Sequence, residues 1–163
     1  IIALVSIALD QFTKYLVRRD LPEYTPWNPI SWLSSIVTLT HVHNTGMAFG
    51  LFQNGSLVLV VVATVIIVAI LVSYRQIASS SWVLRAAFGV LLGGACGNLI
   101  DRLVRGYVTD FIDFHVWPVF NVADMSIVGG ALLLAYYGLF LDREPQKKSV
   151  PVENSQTDTE QAG

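Results

Sequence analysis

Apolar blocks of nearly membrane-spanning length, with at most one charge each, constrain this chain more than any other feature. Leu57 to Ser73 carries no charge and consists almost wholly of Val, Ile, Leu and Ala. Trp82 to Ile100 holds Arg85 as its only charge, and Val122 to Leu141 holds only Asp124. A bilayer-spanning helix needs about 20 mostly apolar residues. These blocks therefore predict membrane-spanning helices.

A fourth apolar stretch opens the sequence. Ile1 to Leu9 is too short to span a membrane alone and becomes long enough only by continuing through Asp10 to Leu16. Because the chain does not begin with Met, we expect a trimmed N-terminus and not the core of a signal peptide. A hydrophobic fraction of 53% with 13% charged residues agrees with a membrane protein. We predict a mainly α-helical membrane protein with four transmembrane helices.

The connections between the blocks predict a small structure outside the membrane. Within residues 20–55, three prolines break helices and two tryptophans are of the kind found at headgroup depth. Ile30 to Ile36 is therefore expected to lie along the membrane surface as a short interfacial segment. Val37 to His43 alternates and is largely β-branched, and Gly106 to Phe114 leaves the third helix in extended form. We predict a small extracytoplasmic β-platform.

The distribution of Lys and Arg predicts the orientation. The link at 74–82 has arginines at its edges, whereas 20–55 contains neither Lys nor Arg. The positive-inside rule places this link and both termini in the cytoplasm, with 20–55 and 103–121 outside. Residues 1–141 are then one membrane domain. The polar stretch 142–163 is predicted to be a disordered cytoplasmic tail.

Composition excludes several classes of function. A net charge of −2 provides no basic face for nucleic acid. A single cysteine, Cys96, supports neither a disulfide framework nor a thiolate zinc site, and we expect it to be a small core residue. His41 and His43 alternate on a predicted strand, but a lone His-x-His is a weak metal signal. We expect polar residues on a half-exposed strand there, with no metal and no cofactor.

Polar and ionisable residues collect between the last two apolar blocks. Such groups beside membrane-spanning segments indicate a function, because burying them is expensive unless they are used. The cluster consists of Asn98, Asp101, Arg102, Asp110, Asp113, Asn121 and Asp124.

Two of the predicted helices carry polar residues on one face. Asp10 and Lys14 are four residues apart and can form an ion pair, which either lowers the cost of two charges or faces the cluster. Asn98, Asp101 and Arg102 also share a face. We expect Arg102 to pair with Asp101 or to offer its guanidinium to a substrate carbonyl.

The other members of the cluster lie on an extended segment and at a helix start. Alternation predicts that Asp110 and Asp113 face opposite sides of the strand. Asn121 is a predicted N-cap, which places Asp124 in the first helical turn, where the helix dipole favours an ionised carboxylate. Gly89 to Gly97, with a glycine at every fourth position, predicts a helix face that a neighbouring backbone can approach closely.

Two carboxylates that share a site can perform acid and base chemistry. Because both cannot ionise cheaply, one stays protonated near neutral pH while the other is an anion that can take a proton from water. Paired aspartates near a membrane surface could equally relay protons in a transporter. Spacing alone leaves both alternatives open, and a non-catalytic membrane chaperone is a third possibility.

Five sequence blocks resemble those of a known family. In chain order they are Asp10-Gln11-x-Thr13-Lys14, Asn44-x-Gly46-x-Ala48-Phe49-Gly50, Gly93-Gly94-Ala95-x-Gly97-Asn98-x-x-Asp101-Arg102, Val108-x-Asp110-Phe111-x-Asp113 and Phe120-Asn121-x-Ala123-Asp124. The chain resembles the lipoprotein signal peptidases (signal peptidase II), the bacterial intramembrane aspartic peptidases. The resemblance implies four helices with both ends cytoplasmic, a periplasmic β-cradle and a site near the outer surface of the inner membrane.

The resemblance also implies residue roles and a substrate. It assigns the catalytic dyad to Asp110 and Asp124. Substrate contacts and support are implied for Asn44, Gly46, Asn98, Arg102, Asn121, Asp10, Lys14 and Asp101. The substrate would be a prolipoprotein carrying diacylglycerol on a cysteine, cut immediately before that cysteine, with its signal helix beside the glycine-bearing third helix. We expect a monomer surrounded by membrane lipid, without metal or cofactor. The connection from Phe114 to Val119 is short for the family.

Overall fold

The computed structural model of the chain describes residues 1–46, 56–77 and 81–141. Its elements, in order, are α1 (Ile2–Asp20), β1 (Pro26–Trp27), a 3-10 turn (Ser31–Leu33), β2 (Thr38–Asn44), α2 (Ser56–Ile77), α3 (Trp82–Arg105), β3 (Val108–Asp113) and α4 (Val122–Tyr136), which continues as a π-helical turn (Tyr137–Leu141). The chain is therefore mainly helical, with a small sheet. The predicted tail, 142–163, lies outside the described residues.

Within the described ranges, three helices are long and apolar enough to cross a membrane. They are Leu57–Gln76, Trp82–Arg105 and Val122–Leu141, so the three apolar blocks form the helices expected of them. The first helix also forms, but Lys14 and the two arginines at its C-terminal end make it more polar than the others. The fourth membrane span stays a prediction.

Helix α3 lies at the centre and packs against the other three helices. Its repeated glycines allow this, because a Cβ at Gly93 would collide with Ser6 of α1, and one at Gly94 would collide with the carbonyl oxygen of Ala123 in α4. The predicted close packing is confirmed. The neighbour at Gly89, Gly93 and Gly97 is α1, which covers this face of α3.

The three strands form an antiparallel sheet in the order β1-β2-β3. Asn44 pairs with Val108 and Val42 pairs with Asp110, with an irregularity between Leu39 and Val42. The predicted β-platform is confirmed, and its central strand begins one residue later than predicted, at Thr38. This register brings the end of β2 beside the middle of β3.

The histidines and the cysteine differ from expectation. His41 is only 3% exposed, and its Nδ1 lies 3.2 Å from the carbonyl oxygen of Leu21. His43 stacks on Tyr107 with ring centroids 3.9 Å apart. The prediction of a half-exposed strand is therefore wrong at His41, because the preceding loop covers it. Cys96 is only partly buried. Among the described residues, no group of three or more His, Cys, Asp or Glu side chains could hold a metal ion.

Candidate active site

The start of α4 holds one carboxylate in a fixed position. Asn121 is the N-cap, and its Oδ1 accepts from the backbone N–H of Asp124 at 3.0 Å. In return, the Asp124 carboxylate accepts from the backbone N–H of Asn121 at 3.2 Å. This reciprocal capping box supplies hydrogen-bond acceptors for two backbone N–H groups at the start of α4 that have no partner within the helix. The predicted N-cap and first-turn position are confirmed.

The second carboxylate comes from the buried middle of β3. Asp110 is 2% exposed, and its two oxygens accept from Asn44 Nδ2 at 2.7 Å and from Asn121 Nδ2 at 2.6 Å. Burial, and then the nearby charge of Asp124, raise the pKa of Asp110 to about 7. A carboxyl group with this pKa can hold a proton at neutral pH, when an ordinary aspartate is ionised.

Two asparagine amides connect the carboxylates. Asn98 Nδ2 donates to Asp124 Oδ1 at 2.7 Å. Asn121 Nδ2 donates to Asp110 and also lies 3.2 Å from Asn98 Oδ1. The residues Asp110, Asn121, Asn98 and Asp124 therefore form a continuous hydrogen-bonded path that runs from β3 through the N-cap of α4 to α3 and back to α4. The structure thus brings together residues from three separate sequence blocks.

Arg102 and its neighbour Asp101 point to different places. Asp101 pairs with Lys14 and Arg105, each at 3.2 Å, so the expected pairing of Asp101 with Arg102 is wrong. Arg102 Nη1 instead lies 3.4 Å from the carbonyl oxygen of Asn98, and the side chain lines the cavity beside both carboxylates. The physical reason is that Asp101 is fully buried against α1, which supplies its cation.

Three buried charged residues, Asp10, Lys14 and Asp101, lie next to Asn98 and the start of α4. The predicted ion pair of Asp10 and Lys14 is present at 3.0 Å, and both side chains are fully buried. Asp10 Oδ1 also accepts from the backbone N–H of Ala123 at 2.9 Å, which caps α4 from α1. Asp101 Oδ2 accepts from the backbone N–H of Thr109 at 3.1 Å. Sequence reasoning missed both backbone contacts, because the spacing rules of a single helix or strand do not relate residues that lie in different elements.

Asp113, the other aspartate of the candidate cluster on β3, has different surroundings from Asp110. Asp113 accepts from Thr40 Oγ1 at 3.3 Å and from the backbone N–H of His115 at 2.8 Å. Asp110 faces Asn44 and Asn121 instead. The prediction that Asp110 and Asp113 face different sides is confirmed.

A cavity of about 410 Å³ opens beside these residues. Its polar end is formed by Asn44, Gly46, Asn98, Arg102, Asp110 and Asp124. Its apolar side is formed by Leu59, Val62, Ala63, Ile66, Ile70, Leu91, Ala95 and Ile127 from α2, α3 and α4. The short connection after β3 also reaches the cavity, through Trp117, Pro118 and Val119. The cavity suits a ligand with a polar group at one end and hydrocarbon at the other.

The chain is similar to known proteins over most of its length. A family model described as signal peptidase (SPase) II, Peptidase_A8, matches residues 2–140. The chain is 43% identical over 136 residues to a lipoprotein signal peptidase of Moorella thermoacetica, covering 83% of this chain and 89% of that protein. It is 42% identical over 137 residues to a lipoprotein signal peptidase of Halothermothrix orenii, covering 84% and 92%.

A solved structure has the same fold. A bacterial membrane enzyme determined by the in meso method at 2.3 Å resolution superposes with a TM-score of 0.79 and 27% identity, covering 91% of each chain. The sequence blocks, the fold and the relatives all lead to the same assignment. The chain belongs to the signal peptidase II family of peptidases.

Proposed function

We propose that this protein is an aspartic endopeptidase that removes the signal peptide from diacylglyceryl-modified prolipoproteins by cutting before the lipidated cysteine. The observation that carries the proposal is the pair of carboxylates, Asp110 and Asp124, joined through Asn121 and Asn98 at the polar end of an apolar cavity. The family and its relatives support a peptidase acting on prolipoproteins, whereas the transporter alternative has no support among them.

The two carboxylates take different roles in the proposed mechanism. Asp110 holds a proton near neutral pH, because its pKa is raised to about 7. Asp124, which accepts from Asn98 and from the helix start, is the anion that takes a proton from a bound water. The water oxygen attacks the scissile carbonyl carbon, and Asp110 donates a hydrogen bond to the developing oxyanion. The departing amine receives the proton that Asp124 took.

The rest of the cavity fits the two ends of the proposed substrate. Arg102 offers planar N–H donors to peptide carbonyls beside the dyad, and Asn44 and Gly46 line the same polar end. The apolar walls from α2, α3 and α4 suit the hydrocarbon of the acyl chains and the signal helix. We therefore propose that the substrate lies on the side of α3 that faces α2, and not on the glycine face that α1 covers.

The membrane arrangement follows from the exposed surfaces. We infer that α1 is a fourth span, because its charged residues Asp10 and Lys14 are hidden against α3 while Leu4, Leu9 and Phe12 are exposed. Both termini then lie in the cytoplasm, and the dyad lies near the outer surface of the inner membrane. Residues 1–141 form the membrane domain, followed by a cytoplasmic tail. We further propose that the protein acts as a monomer.

The proposal is tested with the purified protein and a matched pair of precursors, one lipidated on cysteine and one not. We expect cleavage of the lipidated precursor alone, with the new N-terminus at the modified cysteine. Cleavage of both precursors at equal rates would contradict the lipid requirement. Binding of the lipidated precursor without cleavage would indicate a chaperone instead of a peptidase.

The raised pKa of Asp110 predicts the alkaline side of the activity profile. Because Asp110 must be protonated in the proposed mechanism and has a pKa of about 7, kcat falls as the pH rises above 7. The expected loss approaches about tenfold for each pH unit. The measurement is kcat for the lipidated precursor between pH 5.5 and 9, with a binding assay as the control for folding. A constant kcat up to pH 9 would contradict the assigned role.

Asp113 provides a matched test of the assignment of Asp110 to the dyad. Asp113→Asn removes a negative charge from the same strand as Asp110, but Asp113 contacts Thr40 and the backbone of His115, away from Asp124. We expect kcat to stay within about threefold of the unsubstituted protein, as for substitutions outside the reacting groups. The assay is cleavage of the lipidated precursor. Complete loss of activity would show that the wrong carboxylate has been assigned.

A further inference from the structure

Lys14 is a fully buried ammonium group that connects α1 to the site without lining the cavity. Its Nζ donates to Asn98 Oδ1 at 2.9 Å and contacts Asp10 Oδ2 at 3.0 Å and Asp101 Oδ2 at 3.2 Å. An ammonium group has three N–H donors, so these three acceptors match its capacity. One of the three acceptors, Asn98, also contacts Asp124 directly.

The orientation of the Asn98 amide depends on this contact. Its oxygen faces two donors, Lys14 Nζ and Asn121 Nδ2, so its nitrogen faces Asp124 Oδ1 at 2.7 Å. A flipped amide would place its N–H groups against the ammonium and its oxygen against the carboxylate. Both contacts would be repulsive in a buried, low-dielectric environment.

We propose that Lys14 is a positioning residue for the dyad: its charge fixes the Asn98 amide so that Asn98 donates to Asp124. This inference rests on the proposed function of Asp110 and Asp124. Lys14 does not touch the reacting atoms, and it acts only through Asn98. The adjacent contact from Asp10 to the backbone N–H of Ala123 holds α4 against the same helix, so α1 fixes both the side chain and the backbone around Asp124.

The test removes the charge while keeping the cluster neutral. In the double variant Lys14→Met with Asp10→Asn, the new amide keeps an oxygen for the N–H of Ala123, and Asp101 keeps Arg105 as its partner. We expect kcat for the lipidated precursor to fall by about 10 to 100-fold, with KM within about threefold, because catalytic geometry is lost while the cavity is unchanged.

A second readout separates positioning from a structural role. A positioning role predicts that the side-chain N–H signals of Asn98 in a ¹⁵N NMR spectrum shift in the double variant, because the hydrogen bond from Asn98 to Asp124 is disturbed, while the affinity for the lipidated precursor stays within about threefold. A structural role predicts a loss of that affinity. The charged groups around Lys14 and Asp124 are Asp10 and Arg18 from α1, Asp101, Arg102 and Arg105 from α3, and Asp110 from β3. Only the Lys14 and Asp10 charges change in the double variant.

Arg105→Gln is the matched control. It removes another cation that contacts Asp101, at 3.2 Å, but this contact is to the oxygen that does not face Lys14. We expect kcat and its pH profile to stay unchanged. Asp110→Asn, measured in the same series, reports on the dyad itself. If that variant still cleaves, the proposed function fails; if it is inactive while the Lys14 variants behave as the unsubstituted protein, only this inference fails.

Two further results would overturn the proposed role of Lys14. A folded double variant with unchanged kcat and unchanged side-chain signals of Asn98 would overturn the positioning role. If the double variant does not fold, Lys14→Gln keeps a donor toward Asn98 without the charge, and a smaller loss of kcat with a smaller shift of the Asn98 signals is expected. If neither variant binds the lipidated precursor, Lys14 has a structural role only, and the proposal is overturned.

Discussion

Asp110→Asn and Asp124→Asn should each reduce cleavage of a lipidated precursor by at least about a thousandfold, because each removes one of the two proton-transferring groups. Asn at position 110 has a similar shape but cannot donate the acid O–H to the oxyanion. Asn at position 124 cannot take a proton from water. The measurement is single-turnover cleavage by the purified variants, with Asp113→Asn as the control on the same strand. Substantial activity in either variant would remove that residue from the dyad.

The same substitutions should leave the protein folded. The pKa of Asp110 is raised from 3.8 to about 7 in the native state, so between these values the native state binds more protons than the unfolded state. Its contribution to stability therefore decreases as the pH rises from about 4 to 7. Asn does not ionise, so it avoids the free-energy cost of a buried carboxylate charge. Asp110→Asn should therefore unfold at no lower temperature than the unsubstituted protein at pH 8. A marked drop at pH 8 would mean that loss of activity reports unfolding.

Gly94→Ala is expected to damage both stability and activity. A Cβ at Gly94 would collide with the carbonyl oxygen of Ala123 and would lie 2.9 Å from a side-chain carbon of Ile127. Helices α3 and α4 would have to separate, which costs about 1–3 kcal/mol as overpacking. The same separation lengthens the 2.7 Å contact between Asn98 and Asp124, and displacement of this kind can cost about a hundredfold in rate.

Gly129→Ala is the matched control on α4. A Cβ at Gly129 would meet no atom within 4 Å. We expect unchanged cleavage and equal or slightly higher stability, because Ala is favoured over Gly inside a helix by about 0.5–1 kcal/mol. Thermal unfolding and precursor cleavage should be measured together for both variants. Equal effects of the two substitutions would show that the close contact of α3 with α4 does not position the site.

Local sequence rules predicted the parts of the site that depend on neighbours in the chain. The ion pair between Asp10 and Lys14 follows from helical spacing, and the capping of α4 by Asn121 follows from residue type at a helix start. The opposite facing of Asp110 and Asp113 follows from strand alternation. Each of these predictions needs only the geometry of one element.

Contacts between elements could not be predicted in this way. Asp101 pairs with Arg105 at helical spacing on α3, but no local rule indicates its second partner, Lys14 on α1. The glycine repeat predicted a close neighbour without saying that the neighbour is α1. The backbone contact of Asp10 with Ala123 joins residues 113 positions apart. Such partners are chosen by tertiary packing and burial of charge.

The most direct test of the account is a pH titration of the aspartate carboxyl carbons by NMR in the ¹³C-labelled protein, with the two Asn variants for assignment. The account predicts one carboxyl signal that titrates with a pKa of about 7, is absent in Asp110→Asn, and titrates at lower pH in Asp124→Asn because a neighbouring negative charge is gone. An Asp110 signal that titrates near pH 4 in the native protein, unaffected by substitution of Asp124, would show that the two carboxyl groups do not share a proton.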